Sequence, residues 1–400
     1  MSWPRKLLGD LCSVITKGST PTSYGMAYVA SGVPFLRVQN LDNGLALDRD
    51  VLFVSEETHQ ASARSKILPG DVLLSIAGTI GRSAIVPETA PPLNCNQAVA
   101  IIRISGPLDR NYLRNWLQTP DAQNQMRGAQ VTATISNLSL TQVGRLEVPL
   151  PPLEEQLRIT ALLGQANALR AKRRHALAKL GTLTQSLFSE VFASVLTNGT
   201  RHNLSELIEE FRYGTSNKSE GAGYPALRIP NVIGGSLNLQ ELKLVPADDA
   251  EFERLQLRDG DLLFVRTNGN PDFVGRCAVF QAESVRLRGF DPARFIYASY
   301  LIRARLKTDV ILPLFLQEFL AMPEGRRALR SRCKTSAGQY NINTEGLGAL
   351  PVPVPPLTLQ RKFEKHLAVV TALKAAQQRA LLKHDALFAS LQHRAFNGEL

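Results

Sequence analysis

Cysteine is scarce in this chain of 400 residues: Cys12, Cys95, Cys277 and Cys333 stand far apart, with no CxxC pair and no histidine cluster beside them. This spacing argues against a disulfide framework or a zinc site and fits reduced thiols. No stretch approaches the roughly 18 apolar residues of a membrane span. The opening MSWPRKLLGD lacks the apolar run of a signal peptide, so a soluble, cytoplasmic protein without a membrane partner is expected. Phosphate-cradling GxxxxGK[ST], a GxGxxG turn after a strand, HExxH and GxSxG are all missing. Gly78–Gly81 and Asn268-Gly269-Asn270-Pro271-Asp272 are only turn signals. Carboxylates are scattered, without the cluster that a two-metal nuclease requires. Nothing in these patterns looks like a catalytic centre or a metal site, and an enzyme stays open as the least favoured reading.

What it does have is a basic charge, evenly shared. Residues 1–200 carry 19 Lys and Arg against 14 Asp and Glu, and residues 201–400 carry 27 against 21, within a net +11. A basic tail would concentrate that charge at one end, whereas two basic halves suit an acidic partner met twice, double-stranded DNA first among them.

The halves also repeat one another. Residues 146–156 read LEVPLPPLEEQ and residues 350–360 read LPVPVPPLTLQ; SLFSEVF (186–192) is echoed by SLQHRAF (390–396). Upstream, VPFLRVQN (33–40) matches YPALRIPN (224–231), Gly70-Asp71-Val72-Leu73-Leu74 matches Gly260-Asp261-Leu262-Leu263-Phe264, and Gly81-Arg82 matches Gly275-Arg276. Leu8-Gly9-Asp10-Leu11 corresponds to Leu204-Ser205-Glu206-Leu207. A period near 200 residues is a domain duplication, since solenoid repeats run about 20–50.

Each copy has a globular part and a helical part. Short β-rich runs are expected at Val33–Val38, Val51–Val54, Val72–Ile76 and Ala98–Ile104, then at Tyr224–Ile229, Leu262–Val265 and Tyr297–Leu306. Helical stretches follow at 110–127, broken at Pro120, and at 312–331, broken at Pro323. This predicts α+β modules with a curved or barrel-like sheet. Pro149–Pro152 and Pro351–Pro356 are read as stiff hinges, each leading into a long helix. Along the first helix Leu162, Leu169, Leu180, Leu183 and Leu187 step by three or four, with Arg173 among them. Along the second, Val370, Leu373, Leu387 and Leu391 do so around Gln377 and His384. The simplest reading pairs the two helices as an antiparallel coiled coil; the alternative folds each back onto its own module. The boundaries read as 1–150, 151–196, 197–354 and 355–400.

Candidate DNA contacts are polar loops carrying cations: Lys17, Ser19, Thr20, Arg64, Lys66, Thr79, Arg82, Asn96 and Gln97 in the first half; Lys218, Arg266, Asn268, Arg276, Lys334, Gln339, Tyr340 and Asn341 in the second. Lys and Arg neutralise phosphates, while Arg, Asn and Gln match purine edges. The Arg326–Lys334 run reads equally as a solvated helix face. The loops 131–140 and 335–347, rich in hydroxyls and amides, either position phosphates or simply connect. The charged run 170–174 with His175 and Lys179 forms a solvated stripe, or faces DNA or an acidic partner.

LGDL and LSEL openings, the hinge PLPPLEEQ, a long helix after each hinge and the ending SLQHRAFNGEL together resemble the specificity subunit of a Type I restriction-modification system, across essentially the whole chain. The resemblance implies two target recognition domains, each reading one half of a split DNA site. It also implies an antiparallel, pseudo-twofold coiled coil acting as a ruler, in which deleting a helical turn changes the spacer and not the half-sites. It implies a non-catalytic subunit that holds two methyltransferase subunits and, through them, restriction subunits. S-adenosylmethionine, ATP and Mg belong to those partners. Thr358 and Leu359 replace the two glutamates of the first hinge. A stand-alone two-headed DNA binder, or a coiled-coil adaptor between proteins, is the competing reading.

Overall fold

Gly70-Asp71 leads into a strand, Val72–Ser75, in which every residue is buried. It lies between Ser83–Ile85 and Val99–Ile104, and Cys12–Lys17 completes a four-stranded antiparallel sheet. A sheet covered on both faces reads as an apolar run, which is why the sequence pattern exposed it. A second sheet sets Val33–Leu36 antiparallel to Leu52–Val54 and parallel to Asn94–Cys95. The other half repeats both: Ile208–Tyr213, Leu301–Leu306, Leu262–Val265 and Cys277–Val279 in one sheet, Lys243–Val245, Tyr224–Leu227 and Ile296–Tyr297 in the other. Two small sheets thus stand where a curved or barrel-like sheet is expected. The run expected at Tyr297–Leu306 is two strands, because the chain turns between them, with the Leu301 amide donating to the Ala298 carbonyl.

The computed structural model describes residues 3–41, 44–128, 137–336 and 338–400. Its chain divides into two compact units, Met1–Arg174 with Arg379–Leu400, and His175–Gln378. Each helical stretch is broken into two short helices as expected, and the proline opens the second of the pair: Arg110–Leu117 then Pro120–Gly128, and Pro313–Ala321 then Pro323–Ser331. The first helical turn needs no amide donor, so proline fits there.

The expected hinges are in part short strands. Glu147–Pro149 pairs with Arg5–Leu7, and Pro351–Pro353 pairs with Arg201–Asn203. Two-stranded ladders are all edge, and proline is tolerated on an edge. The helices Leu153–Asn198 and Leu357–Asn397 then begin, with 46 and 41 residues.

Covered positions on these helices step strictly by four and three: Ile159, Leu163, Ala166, Arg170, Arg173 and onward to Val191, and Phe363, Leu367, Val370, Lys374, Gln377 and onward to Ala395. This is a heptad seam. In the first unit Arg170 bonds Asp385 at 2.6 Å and lies 4.2 Å over the Phe388 ring. In the second, Lys374 Nζ donates to Thr184 Oγ1 at 3.0 Å, and the Phe188 and Phe363 rings are 5.3 Å apart. Residue numbers rise on one helix as they fall on the other, so the pairing is antiparallel. The expected seam needs correction. Leu169, Leu183, Leu373 and Leu387 are 44–54% exposed. Leu162 is only half-covered beside the buried Leu163, while Leu180, Leu187, Val370 and Leu391 lie on covered faces. The apolar leucines led the reading one position aside, because the true seam passes through Arg170, Thr184 and Lys374.

Candidate nucleic-acid interface

In the first unit the loop after Cys12–Lys17 is pinned to the strand Asn94–Cys95. The Ser19 amide donates to the Cys95 carbonyl, and Gly18 passes so close that a Cβ would fall 1.9 Å from that oxygen. Only glycine fits such an approach. The result is a cleft of about 420 Å³ lined by Lys17, Ser19, Thr20, Arg64 and Gln97 with Thr16, Gly18 and Leu140. Five sequence candidates from three separate loops therefore share one site. Thr20 Oγ1 donates to Gln97 Oε1, Ser19 Oγ meets Ser65 Oγ at 2.8 Å, and Lys66 bonds Gln60. Asn96 turns inward, its Oδ1 accepting from the Ala98 amide. Thr79 and Arg82 sit apart, on the turn before Ser83–Ile85, where Ser75 Oγ donates to the Thr79 carbonyl and accepts from the Arg82 amide. Most of the loop 131–140 lies outside the described residues.

The second unit builds its face differently. The matching glycine, Gly214, is equally tight against the Tyr297 carbonyl. Beyond it the 335–347 loop enters a three-stranded sheet of Thr267–Asn268, Gln339–Asn341 and Lys334–Ser336. Lys334, Gln339, Tyr340 and Asn341 are thereby brought beside Arg266 and Asn268, about 70 residues earlier in the chain. Thr267 Oγ1 donates to Gln339 Oε1 at 2.9 Å, and the Arg266 guanidinium lies 4.9 Å from the Tyr213 ring centroid. Arg276 stacks 3.6 Å over Phe273. Lys218 is exposed on the loop following Tyr213.

Other cations are committed to the fold. Arg326 donates to the Asp272 and Val274 carbonyls and Arg330 pairs with Asp272, so part of the Arg326–Lys334 run braces a turn. Arg170 and Arg174 both bond Asp385.

Sequence reasoning passed over a set of duplicated polar residues. Gln156, fully buried, accepts from the Asp109 amide and donates to the Pro107 and Pro151 carbonyls; Gln360 accepts from Leu312 and donates to Val310 and Pro355. Each ties a long helix to its own unit. Asp71 accepts from the Leu68 amide and pairs with Arg103, as Asp261 does with Arg258 and Arg305. Asn40 and Asn231 accept from the amides of Arg37 and Arg228. The signal was present: all six sit in or beside the echoed segments.

Residues 2–177 match the family model described as the Type I restriction modification DNA specificity domain. The chain is 26% identical over 394 residues to the Type I restriction enzyme EcoKI specificity subunit of Escherichia coli (strain K12), spanning 92% of this chain and 82% of that one. The StySPI specificity subunit of Salmonella potsdam is 24% identical over the same shares. Over nearly its whole length the chain is similar to Type I restriction-modification specificity subunits. Its function is DNA sequence recognition within such a system; neither the stand-alone binder nor the adaptor is favoured. The fold agrees. A chain solved in work on complex assembly and conformational transition of the type I R-M system superposes with TM-score 0.63 at 20% identity, covering 100% of this chain and 98% of that one. The S subunit from M. genitalium gives 0.56 at 14%, covering 98% and 96%. Among the described residues no helix is long and apolar enough to cross a membrane.

Proposed function

We propose that the Lys17–Arg64–Gln97 cleft and the Arg266–Lys334–Gln339 sheet each contact one half of a split, asymmetric DNA site. The observation that carries this reading is that each unit gathers cations and amides from distant loops onto one face, by unlike means. Cations there would neutralise phosphates and amides would read base edges. The chain itself is non-catalytic and works in the cytoplasm. S-adenosylmethionine, ATP and Mg would be held by partner subunits.

Two methyltransferase subunits dock on this chain, and restriction subunits join through them. What supports the docking is the misplaced leucine set. Beside the seam, one flank is polar, with Arg174 on Asp385. The other exposes Leu169 and Leu387 in the first unit, and Leu183 and Leu373 in the second. Lys172, Lys179 and Lys383 lie next to them and are exposed. An amphipathic helix with acidic edges suits such a strip.

The test is single-molecule mapping of methyladenine in cells holding this chain and its methyltransferase. Methylation confined to a two-part motif with a fixed gap, lost on deleting this chain, is expected; methylation indifferent to the deletion would sink the reading. The ruler is tested by removing one heptad from both helices. Seven residues shorten a helix by about 10.5 Å, close to three base pairs, so the gap contracts by about that much and the half-sites persist.

A further inference from the structure

The two faces share a detail that the duplication does not explain. Gln97 follows the strand Asn94–Cys95, whereas Gln339 opens a strand in the late loop of the other unit, so the positions do not correspond. Yet in each a threonine hydroxyl donates to the glutamine carbonyl oxygen: Thr20 to Gln97, Thr267 to Gln339. Both glutamines are exposed and stand among cations, Gln97 with Lys17 and Arg64, Gln339 beside the strand that carries Lys334. Among the described residues, no group accepts a hydrogen bond from either Nε2.

A glutamine amide is directional, with an acceptor at one end and two donor hydrogens at the other, on a broad terminal torsion. A hydroxyl donating to Oε1 fixes which end is which and uses one of two lone pairs. What faces solvent is then an acceptor beside a donor, in a set order. In the major groove, adenine presents the complement, the N6 amino donor beside the N7 acceptor. Guanine presents two acceptors, O6 and N7, so its O6 would meet Oε1 with no proton between them. The pyrimidines offer one polar group each in this groove, N4 amino or O4. Fixing the amide beforehand also lowers the ordering cost of binding.

We propose that Gln97 and Gln339 each read one adenine, one in each half-site, and that Thr20 and Thr267 are their positioning residues. This rests on the reading of the two faces as DNA contacts, and the test separates the two. The full chain is expressed with its methyltransferase, and the methylated motif is mapped for wild type and for Gln97→Ala, Gln97→Glu, Gln339→Ala, Thr20→Val and Thr20→Ser, with melting temperatures reporting folding. In Gln97→Ala one adenine of one half-site becomes degenerate, with discrimination falling about tenfold or more, while the other half-site is unchanged. Gln339→Ala does the same to the opposite half. Thr20→Val relaxes the same position as Gln97→Ala, and Thr20→Ser, which keeps the hydroxyl, restores it. Gln97→Glu, of the same size, shifts that position towards cytosine through its N4 amino group and reports the contact even where the alanine variant is unstable. A motif unchanged in folded Gln97 and Gln339 variants, relaxation at a base other than adenine, or a folded variant that methylates nothing overturns the assignment. A wild type yielding no two-part motif would fail the underlying reading instead, and the assignment with it.

Discussion

Gln156 and Gln360 show how a buried amide joins elements that packing alone would leave to slide. Each uses both amide hydrogens on backbone carbonyls and accepts from one backbone amide. Gln156→Ala orphans those groups, and at about 1–3 kcal/mol for a buried unsatisfied group the unit should lose at least ~2 kcal/mol, measured by urea denaturation. A second residue-scale contrast lies in the sheets. Opposite Leu73 the first unit has Ile101, buried; opposite Leu263 the second has Arg303, also fully buried, bonded to Glu210, where the first unit has Val14. Burial acts to raise the Glu210 carboxyl, but the Arg212 hydrogen bond and the Arg303 charge hold it below the ordinary range. Glu210→Ala leaves the buried Arg303 with only Asp261, at 4.0 Å, as a carboxylate partner and should cost up to about 3–5 kcal/mol, whereas Glu210→Val with Arg303→Ile, copying the first unit, should recover most of the loss. The thiols belong at this scale too. Burial pushes Cys95 and Cys277 up to about 12. A thiol reagent at pH 8 should therefore leave both unmodified in the native protein and reach them after denaturation.

At the scale of elements, the long helices combine a strict heptad with a polar middle. Arg170, Lys374 and Thr184 weaken the apolar seam but fix which residues face each other, since Arg170 and Arg174 share Asp385, and Lys374 finds Thr184. The hydrogen bond from Arg170 is the main reason the Asp385 carboxyl sits below its usual range. A depressed folded value means the stabilisation is present above the ordinary carboxylate pKa and is lost as pH falls through the depressed one. The melting temperatures of wild type and Asp385→Asn should therefore differ near pH 6 and converge in acid. The exposed leucine flank gives a separate prediction. Leu169→Ser with Leu387→Ser removes no buried side chain, so the melting temperature should hardly move while copurification of the methyltransferase falls; retained copurification would leave the strip without that role.

For the whole molecule, a net +11 divided between two similar units predicts DNA binding that weakens steeply with salt. Affinity of the complex measured between 50 and 200 mM salt should fall on a linear log–log plot. Neutralising Lys17 with Arg64 should lower the slope by about 1.8, at roughly 0.9 for every phosphate left without its cation, if each cation meets one phosphate. Such variants should weaken binding for all sequences alike, in contrast to the glutamines, whose loss should alter which sequence is chosen.

Much of this architecture was legible without coordinates. The echoes LEVPLPPLEEQ and LPVPVPPLTLQ, the paired Gly-Asp starts of the central strands and the pair of heptad helices all follow from local periodicity and turn chemistry, which act over a few residues. Duplication carried the rest of that reading, because two copies of one pattern fold alike. Which face of each helix is covered could not be read from leucines alone: Leu169 and Leu373 are as apolar as Leu163 and Leu367, and only packing separates them. The gathering of Arg266 with Gln339, or of Lys17 with Arg64 and Gln97, is likewise tertiary, since polar loops have no period: the first depends on the pairing of Thr267–Asn268 with Gln339–Asn341, the second on where Gly18 lets backbones touch. The sequence by itself determined the duplication, the strands and helices of each copy and the likeness to specificity subunits. Tertiary structure alone decided which polar side chains share a face and which leucines stay uncovered, because burial is a property of neighbours that lie far apart along the chain.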